Sequence, residues 1–264
     1  MFLLNFIVFI FGLSVGSFIN SIVYRLEKKE SFLKGRSYCP KCKHGLSFED
    51  LIPLFSFLFL RGECRYCKKK ISLQYPLVEL ATGLLFVLVF SYQFTSFDFQ
   101  NFLTIGYWLL MAGLLMIIFI YDLKHYIIPD TVIYSAIIIS VAWLVLNVFL
   151  NDYSMSQFLN YLYSAVGAAV FFLAIVVISK GNWMGVGDIK LGFLMGLLLS
   201  FPKIIIALFF AFFSGAIIGL ALIFLNKKTL KSEVPFGPFL IAGTFFSLFW
   251  GKNIANWYLS FLSY

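Results

Sequence analysis

Two aspartates lie at the ends of apolar runs. Asp122 directly follows the run that ends at Tyr121, and Asp188 opens a later run within Gly185-Val-Gly-Asp188-Ile. An ionisable side chain at such a position is energetically costly and marks a candidate functional site. Two facing carboxylates can share one proton, so that one accepts a proton from water while the other donates to a carbonyl oxygen. Asp122 and Asp188 are therefore candidates for aspartic-protease chemistry.

Each of these acidic residues also has a structural interpretation. Asp122 could be an interfacial charge at a helix end, and Asp188 could cap a helix that starts after the two glycines. Glycines at 185 and 187 would also allow a close backbone approach or a sharp bend. Asp130 follows Ile128-Pro129, and we favour a role at a helix start over a catalytic role for it.

The four cysteines form two pairs, Cys39-Pro-Lys-Cys42 and Cys64-Arg-Tyr-Cys67, separated by 21 residues. Two thiolates at this spacing can share a tetrahedral metal. The 21 intervening residues lie just outside the usual range for a four-cysteine zinc site, but two such pairs in one loop are a fairly specific signal for one. The alternatives are two disulfides or four unused thiols. Charge patterning places the loop in the reducing cytoplasm, where disulfides seldom persist. The sequence therefore predicts a zinc ion that is bound by all four cysteines.

Composition determines the surroundings of these residues. Hydrophobic residues make up 61% of the 264 residues, charged residues only 12%, and the mean hydropathy is +0.94. Such a chain is neither disordered nor a soluble single-core enzyme, and it fits an all-α polytopic membrane protein. About eight transmembrane helices are predicted, with boundaries near 2–24, 76–92, 102–121, 131–150, 158–179, 189–201, 204–225 and 236–251. The sixth run is short, so it must tilt, thin the bilayer or hide an end inside the bundle.

The basic residues predict the orientation. In an eight-span arrangement 18 of the 20 Lys and Arg fall on one side, twelve of them between Arg25 and Lys70, and only Lys203 and Lys252 fall on the other. Because cytoplasmic loops collect Lys and Arg, that side is cytoplasmic and both termini face outward. The formal charge of +8 is thus mainly a topology signal and does not indicate a nucleic-acid partner. Both candidate aspartates then lie at cytoplasmic helix ends.

The motifs together resemble the type IV prepilin peptidase family over nearly the whole chain. The similarity rests on Gly16-Ser-Phe-Ile-Asn20, the cysteine loop with Asp50-Leu-Ile-Pro-Leu54, Tyr75-Pro-Leu-Val-Glu79, Asp122 followed by Ile128-Pro129-Asp130, Gly185-Val-Gly-Asp188, and Pro235-Phe-Gly-Pro-Phe239. Departures are small: Phe48 and Phe57 replace an expected tryptophan, and Lys68 stands where glycine is common.

This resemblance implies a bifunctional leader peptidase and N-methyltransferase of the inner membrane. Asp122 and Asp188 would be the catalytic pair, and Cys39, Cys42, Cys64 and Cys67 would bind zinc. The substrates would be prepilins and pseudopilins, and S-adenosylmethionine would donate the methyl group. The implied organisation is a first transmembrane helix at 1–24, a cytoplasmic cysteine-rich lobe at 25–75 and a transmembrane peptidase domain at 76–264.

Two other functions fit part of the pattern. A presenilin-like intramembrane aspartyl protease would share the Tyr121-Asp122 and Gly-Val-Gly-Asp188 motifs, but the cysteine loop has no place in it. A non-catalytic transporter or assembly scaffold would use the aspartates as proton or ion sites. Cleavage of a purified prepilin would separate both from the peptidase.

Overall fold

The computed structural model describes residues 1–31, 35–150, 153–225 and 234–262. Within these residues the chain is helical, and only isolated β-bridges occur. The helices are α1 (Phe2–Lys28), α2 (Phe55–Phe59), α3 (Gln74–Gln93), α4 (Phe99–His125), α5 (Asp130–Leu150), α6 (Met155–Ile178), α7 (Val186–Leu199), α8 (Lys203–Phe224) and α9 (Gly237–Leu262).

Each of the eight predicted apolar runs coincides with one of these helices, so the all-α prediction is confirmed. Six of the described helices are long and apolar enough to cross a membrane, namely α1, α3, α4, α5, α6 and α8. The two remaining predicted runs correspond to α7, which has only 14 residues, and to α9, which has 26. The chain is therefore a multi-pass membrane protein.

The chain divides into two compact units, Met1–Ile117 and Ile118–Tyr264, and α4 runs through the boundary. In the first unit α1 packs along α3. Glycines bring the two backbones together: a Cβ on Gly12 would lie 2.8 Å from the Cα of Gly83, and one on Gly16 would lie 2.7 Å from the Cα of Glu79. Larger residues at these glycines would force the helices apart.

In the second unit α7 lies at the centre, against α5, α6 and α9. Its backbone touches α6 because Gly192 and Gly196 have no side chains: a Cβ at either one would overlap Phe172 or Ala165. Most of the helix from Leu191 onward is buried. Of the three explanations for the short sixth run, burial inside the bundle is the one that the structure supports.

The apolar segment between the cysteine pairs contains a 3-10 turn at Glu49–Leu51 and the short helix α2. Phe55, Leu58 and Phe59 on α2 are 55%, 69% and 84% exposed. The sequence favours a membrane-surface position for this segment, because so small a lobe cannot bury it. Such exposure agrees with that prediction.

Candidate catalytic and metal sites

Asp122 and Asp188 both belong to the second unit and are both buried, with 4% and 8% of their surfaces exposed. Asp122 is in the last turn of α4, and Asp188 is in the first turn of α7. The two carboxyl groups are close enough for their charges to interact. The structure thus brings together two residues that are 66 positions apart in the sequence.

Each carboxylate accepts a hydrogen bond from a backbone amide at the start of a helix. The amide of Gly185 donates to Asp188 Oδ2 over 3.1 Å, next to the first turn of α7. The amide of Gly237, the first residue of α9, donates to Asp122. Helix N-termini carry partial positive charge. Each amide therefore favours negative charge on the carboxylate that it contacts.

The sequence alone gives Gly237 no separate role, although the residue lies in the Pro235–Phe239 motif. A Cβ on this residue would lie 2.5 Å from Asp122 Oδ2, so any side chain would displace the carboxylate. No local signal predicts this, because Gly237 is 115 residues from Asp122 and the approach depends on the packing of α9.

The two glycines before Asp188 differ in what they do. A Cβ on Gly187 would lie 3.1 Å from the Cβ of Ile128, so this glycine permits a close approach between the start of α7 and the segment after α4. At Gly185 a Cβ would meet nothing nearer than 3.9 Å, and the residue has an ordinary extended conformation with φ −83°. The expected close approach is therefore found at Gly187 alone.

Asp130 is the first residue of α5, in keeping with the predicted role at a helix start. Its side chain is 66% exposed and forms an ion pair with Lys190 on α7, with a distance of 2.5 Å between Oδ1 and Nζ. The Lys190 ammonium also lies 4.8 Å from the centre of the Tyr134 ring. An exposed pair of this kind contributes little stability by itself, and it joins the starts of α5 and α7.

The two cysteine pairs sit in similar backbone turns. In the first, the amide of Cys39 bonds to the carbonyl of His44, and the amide of Lys43 bonds back to the carbonyl of Cys39, both over 2.9 Å. In the second, Cys64 makes the same bonds with Lys69 and Lys68, again over 2.9 Å. Lys43 and Lys68 have positive φ angles of 60° and 57°. Glycine adopts this conformation without strain, which gives a physical reason for the glycine that the family resemblance leads one to expect at position 68.

The four sulfur atoms of Cys39, Cys42, Cys64 and Cys67 lie within 4.8 Å of one another, and none forms a disulfide. The Sγ atoms of Cys39 and Cys67 are 4.0 Å apart, although they belong to different pairs. A tetrahedral zinc with Zn–S bonds of about 2.3 Å spaces its sulfurs by about 3.8 Å. The cluster therefore fits a metal ion of this kind.

Cys39 also has local support for the thiolate form, which is the form that binds metal. Burial raises the pKa of this thiol. Backbone amides of Cys42 and Lys41 donate hydrogen bonds to the sulfur and lower the pKa, and the net effect is a pKa below the ordinary value.

Asp50, to which the sequence assigns no separate role, connects the 3-10 turn at Glu49–Leu51 to the second cysteine turn. Its carboxylate accepts from the amide and hydroxyl of Ser47, from Arg65 Nε over 2.7 Å and from the Tyr66 hydroxyl over 3.2 Å. Burial raises its pKa, but the bonds from Ser47, Arg65 and Tyr66 outweigh burial and hold the pKa below its ordinary value. Since Arg65 and Tyr66 lie between Cys64 and Cys67, Asp50 holds the second cysteine turn against the segment that follows the first.

Part of the predicted pattern lies outside the described residues. Residues 226–233 are not described. They include the basic loop with Lys227, Lys228 and Lys231, which the topology prediction assigns to the cytoplasm, and the acidic residue Glu233. The structure says nothing about them.

Comparison with known families matches two stretches of the chain. Residues 10–93 match the bacterial peptidase A24 N-terminal domain, and residues 108–220 match the type IV leader peptidase family. A protein of Legionella pneumophila is 32% identical over 281 residues, which cover 97% of this chain and 94% of the relative. This chain belongs to the type IV leader peptidase family.

Other members of the family are similar along their whole lengths. A protein of Bacillus subtilis (strain 168) is 31% identical over 256 residues, covering 96% of this chain and 97% of the relative. One of Aeromonas salmonicida is 30% identical over 288 residues, covering 96% and 93%. All three relatives carry the name prepilin leader peptidase/N-methyltransferase. No solved structure matches the chain. Both the predicted family and its near-complete coverage are confirmed.

Proposed function

We propose that the protein removes the short basic leader of prepilins and pseudopilins at the cytoplasmic face of the inner membrane. Asp122 and Asp188 are the proposed catalytic residues. The observation that carries this proposal is their burial together in the second unit, each with one backbone amide as a donor.

The chemistry follows from one proton shared between two carboxyl groups. The ionised member takes a proton from water, and the resulting hydroxide attacks the carbonyl carbon of the scissile peptide. The protonated member donates its proton to the carbonyl oxygen. Collapse of the tetrahedral species breaks the C–N bond, and the leaving nitrogen takes a proton from the dyad. The shared proton belongs to the pair, so neither aspartate is assigned as the ionised one.

The second proposed activity is N-methylation of the new N-terminal residue. It is supported by the N-methyltransferase part of the relatives' names and by the match of residues 10–93 to the N-terminal domain. S-adenosylmethionine is the proposed methyl donor, on family resemblance. Zinc held by the four cysteines would fix the fold of the lobe at 25–75 rather than react, because four protein ligands leave no open position.

The proposed orientation has both termini outside and the lobe in the cytoplasm, as the distribution of basic residues predicts. The leader of the substrate would then lie on the side to which both catalytic aspartates are assigned. The presenilin-like alternative loses support because the family match includes the N-terminal domain that holds the cysteine loop.

Reconstitution of the purified protein with a prepilin in liposomes tests the function directly. Leader removal is read on a gel, and methylation is read as the mass of one added methyl group. We expect both products in the presence of S-adenosylmethionine and leader removal alone in its absence. A well-inserted protein that leaves the prepilin intact would favour the transporter or scaffold hypothesis.

A further inference from the structure

The interface between α1 and α3 changes character along its length. Near Gly12 and Gly83 it is formed by apolar and small residues, but toward the cysteine lobe it holds the polar side chains of Ser17, Asn20 and Glu79. Asn20 and Glu79 are 3% and 7% exposed. Neither residue takes part in the aspartate dyad or in the cysteine cluster. A buried carboxylate near a membrane requires either a partner or a function.

Glu79 has hydrogen-bond donors but no positive charge beside it. Its Oε2 accepts from the amide of Leu54 over 2.8 Å, and the Ser17 hydroxyl also donates to it. Among the residues that the structure describes, no Lys, Arg or His pairs with this carboxylate. An ionised carboxylate can accept about four hydrogen bonds. An ionised Glu79 would thus have no counterion among the residues that the structure describes.

Asn20 supplies a second unused acceptor in the same interface. Its amide nitrogen donates to the carbonyl of Tyr75 over 3.1 Å, one turn before Glu79 on α3. Its Oδ1 is buried and has no hydrogen-bond partner among the described residues. A buried polar atom that lacks a partner typically costs 1–3 kcal/mol. Asn20 Oδ1 and the remaining acceptor sites of Glu79 can each accept a hydrogen bond, and an ionised Glu79 would favour a donor that is a cation.

The residue that covers Glu79 is conformationally strained. Leu54 has φ 60° and ψ −48°, which is unfavourable for a residue with a side chain, and its amide is held by the bond to Glu79. Strain of this sort persists where the surrounding structure imposes it, and it concentrates at ligand sites. Leu54 belongs to the loop that carries the cysteines, so movement of that loop would open the carboxylate.

We propose that Ser17, Asn20 and Glu79 form a site for a primary ammonium group, the free N-terminus of a polypeptide. An ammonium brings a positive charge for Glu79 and three N–H donors, one of which would satisfy Asn20 Oδ1. The inference rests on the proposed function, since leader removal creates such an N-terminus and methylation consumes it.

The site also supplies what methylation requires of the protein. An ammonium nitrogen has no free electron pair, so it must lose a proton before it can react, and the Glu79 carboxylate receives that proton. The nitrogen then forms a bond to the methyl carbon of the sulfonium donor, S-adenosylmethionine. The carbon–sulfur bond breaks, and sulfur keeps its electron pair. Glu79 is in this scheme a binding group and a general base.

The test compares two peptides that begin with phenylalanine, one with a free amine and one with an acetylated amine. Binding to the full-length protein in detergent is measured by calorimetry, without any methyl donor. The free peptide should bind at least about tenfold more tightly than the acetylated one. Glu79→Gln should abolish this preference, because glutamine keeps an acceptor for the Leu54 amide but removes the charge.

Glu27→Gln is the matched control, since it removes a carboxylate at the same end of α1 and should leave the preference unchanged. An unchanged preference in well-folded Glu79→Gln protein would overturn the proposal. If that variant does not fold, Asn20→Asp decides: the added charge should strengthen the preference, and an equal or weaker one contradicts the site. Leader removal by wild-type protein is scored separately. Its absence counts against the proposed function, and its presence with no amine preference counts against this site alone.

Discussion

Gly237 touches Asp122 in two ways: its backbone amide donates to the carboxylate, and its missing side chain leaves room for that carboxylate. One residue at the start of α9 thus provides both the hydrogen-bond donor and the room that the Asp122 carboxylate needs. The corresponding donor for Asp188 is the amide of Gly185, three residues earlier in the chain and directly before α7. One aspartate is positioned locally, and the other depends on a distant segment.

Replacing either aspartate by asparagine should abolish leader cleavage. We expect a loss on the order of 10⁴-fold for Asp122→Asn or Asp188→Asn, and no further loss in the double variant, because the two residues act as a unit. The measurement is the initial cleavage rate of a prepilin in liposomes. Asp130→Asn is the control and should keep substantial activity, since Asp130 is exposed and paired with Lys190. Normal cleavage by well-inserted Asp188→Asn protein would remove the peptidase mechanism.

Gly237→Ala should lower cleavage while the protein still folds. The new methyl group would displace the Asp122 carboxylate, and a shift of about 1 Å at a reacting group can cost about 100-fold in rate. Gly185→Ala is the matched control, because its added Cβ meets nothing closer than 3.9 Å, and it should cleave at close to the wild-type rate. Equal rates for the two variants would contradict the positioning role of Gly237.

The purified protein should contain about one zinc per chain. Cys39→Ser combined with Cys42→Ser should lose the metal and loosen the lobe, because binding and folding of a small metal site are coupled. Elemental analysis measures the first effect. Methylation should fall more than cleavage, since the cysteines and the aspartates belong to different units. Equal loss of both activities in correctly inserted protein would refute that separation.

Asp50→Asn should loosen the second cysteine turn from the segment that follows the first, and make metal release on the order of tenfold faster near neutral pH. The folded-state pKa of Asp50 lies below its ordinary value of 3.8. Its carboxylate therefore contributes stability above pH 3.8, and that contribution disappears as the pH falls through the lower folded value. Amide hydrogen exchange in the lobe should thus be faster in Asp50→Asn than in the wild-type protein at neutral pH, and the two rates should converge in acid. A gap that persists in strong acid would mean that the charge of Asp50 is not the cause.

Membrane orientation is tested by single cysteines placed in loops and labelled in intact cells. The Arg25–Gln74 loop and the Lys227–Lys231 loop should be protected, and the Ser91–Asn101 loop should react, because basic residues collect in the cytoplasm. Reaction of a cysteine near Lys28 with an impermeant reagent is the result that would reverse this topology.

The sequence was sufficient for the features that depend on composition and spacing. Apolar runs located eight helices, and two Cys-x-x-Cys pairs located the cysteine cluster that could hold a metal ion. Helix ends were less well predicted: α1 continues to Lys28 and α9 to Leu262, beyond the predicted ends at 24 and 251, because polar residues can extend a helix past an apolar run.

The features missed from the sequence all depend on contacts between distant segments. Gly237 reaches Asp122 through the packing of α9, and Asp50 gains its role from Arg65 in the second cysteine turn. The left-handed conformation of Lys68 was also not foreseen, since a lysine gives no hint of it. The one sign of this conformation in the sequence was that Lys68 stands where the family resemblance leads one to expect glycine.

The close contact between α7 and α6 bears on how the chain is made. At about 1.5 Å per residue, the 14 residues of α7 extend about 21 Å, which is less than the roughly 30 Å of hydrocarbon in a bilayer. A helix this short is not expected to insert into the bilayer alone, so we expect α7 to enter the membrane together with α6, against which it packs. Bulky substitutions at Gly196 would then fail during biogenesis, as degraded or misinserted chains, before any question of catalysis arises.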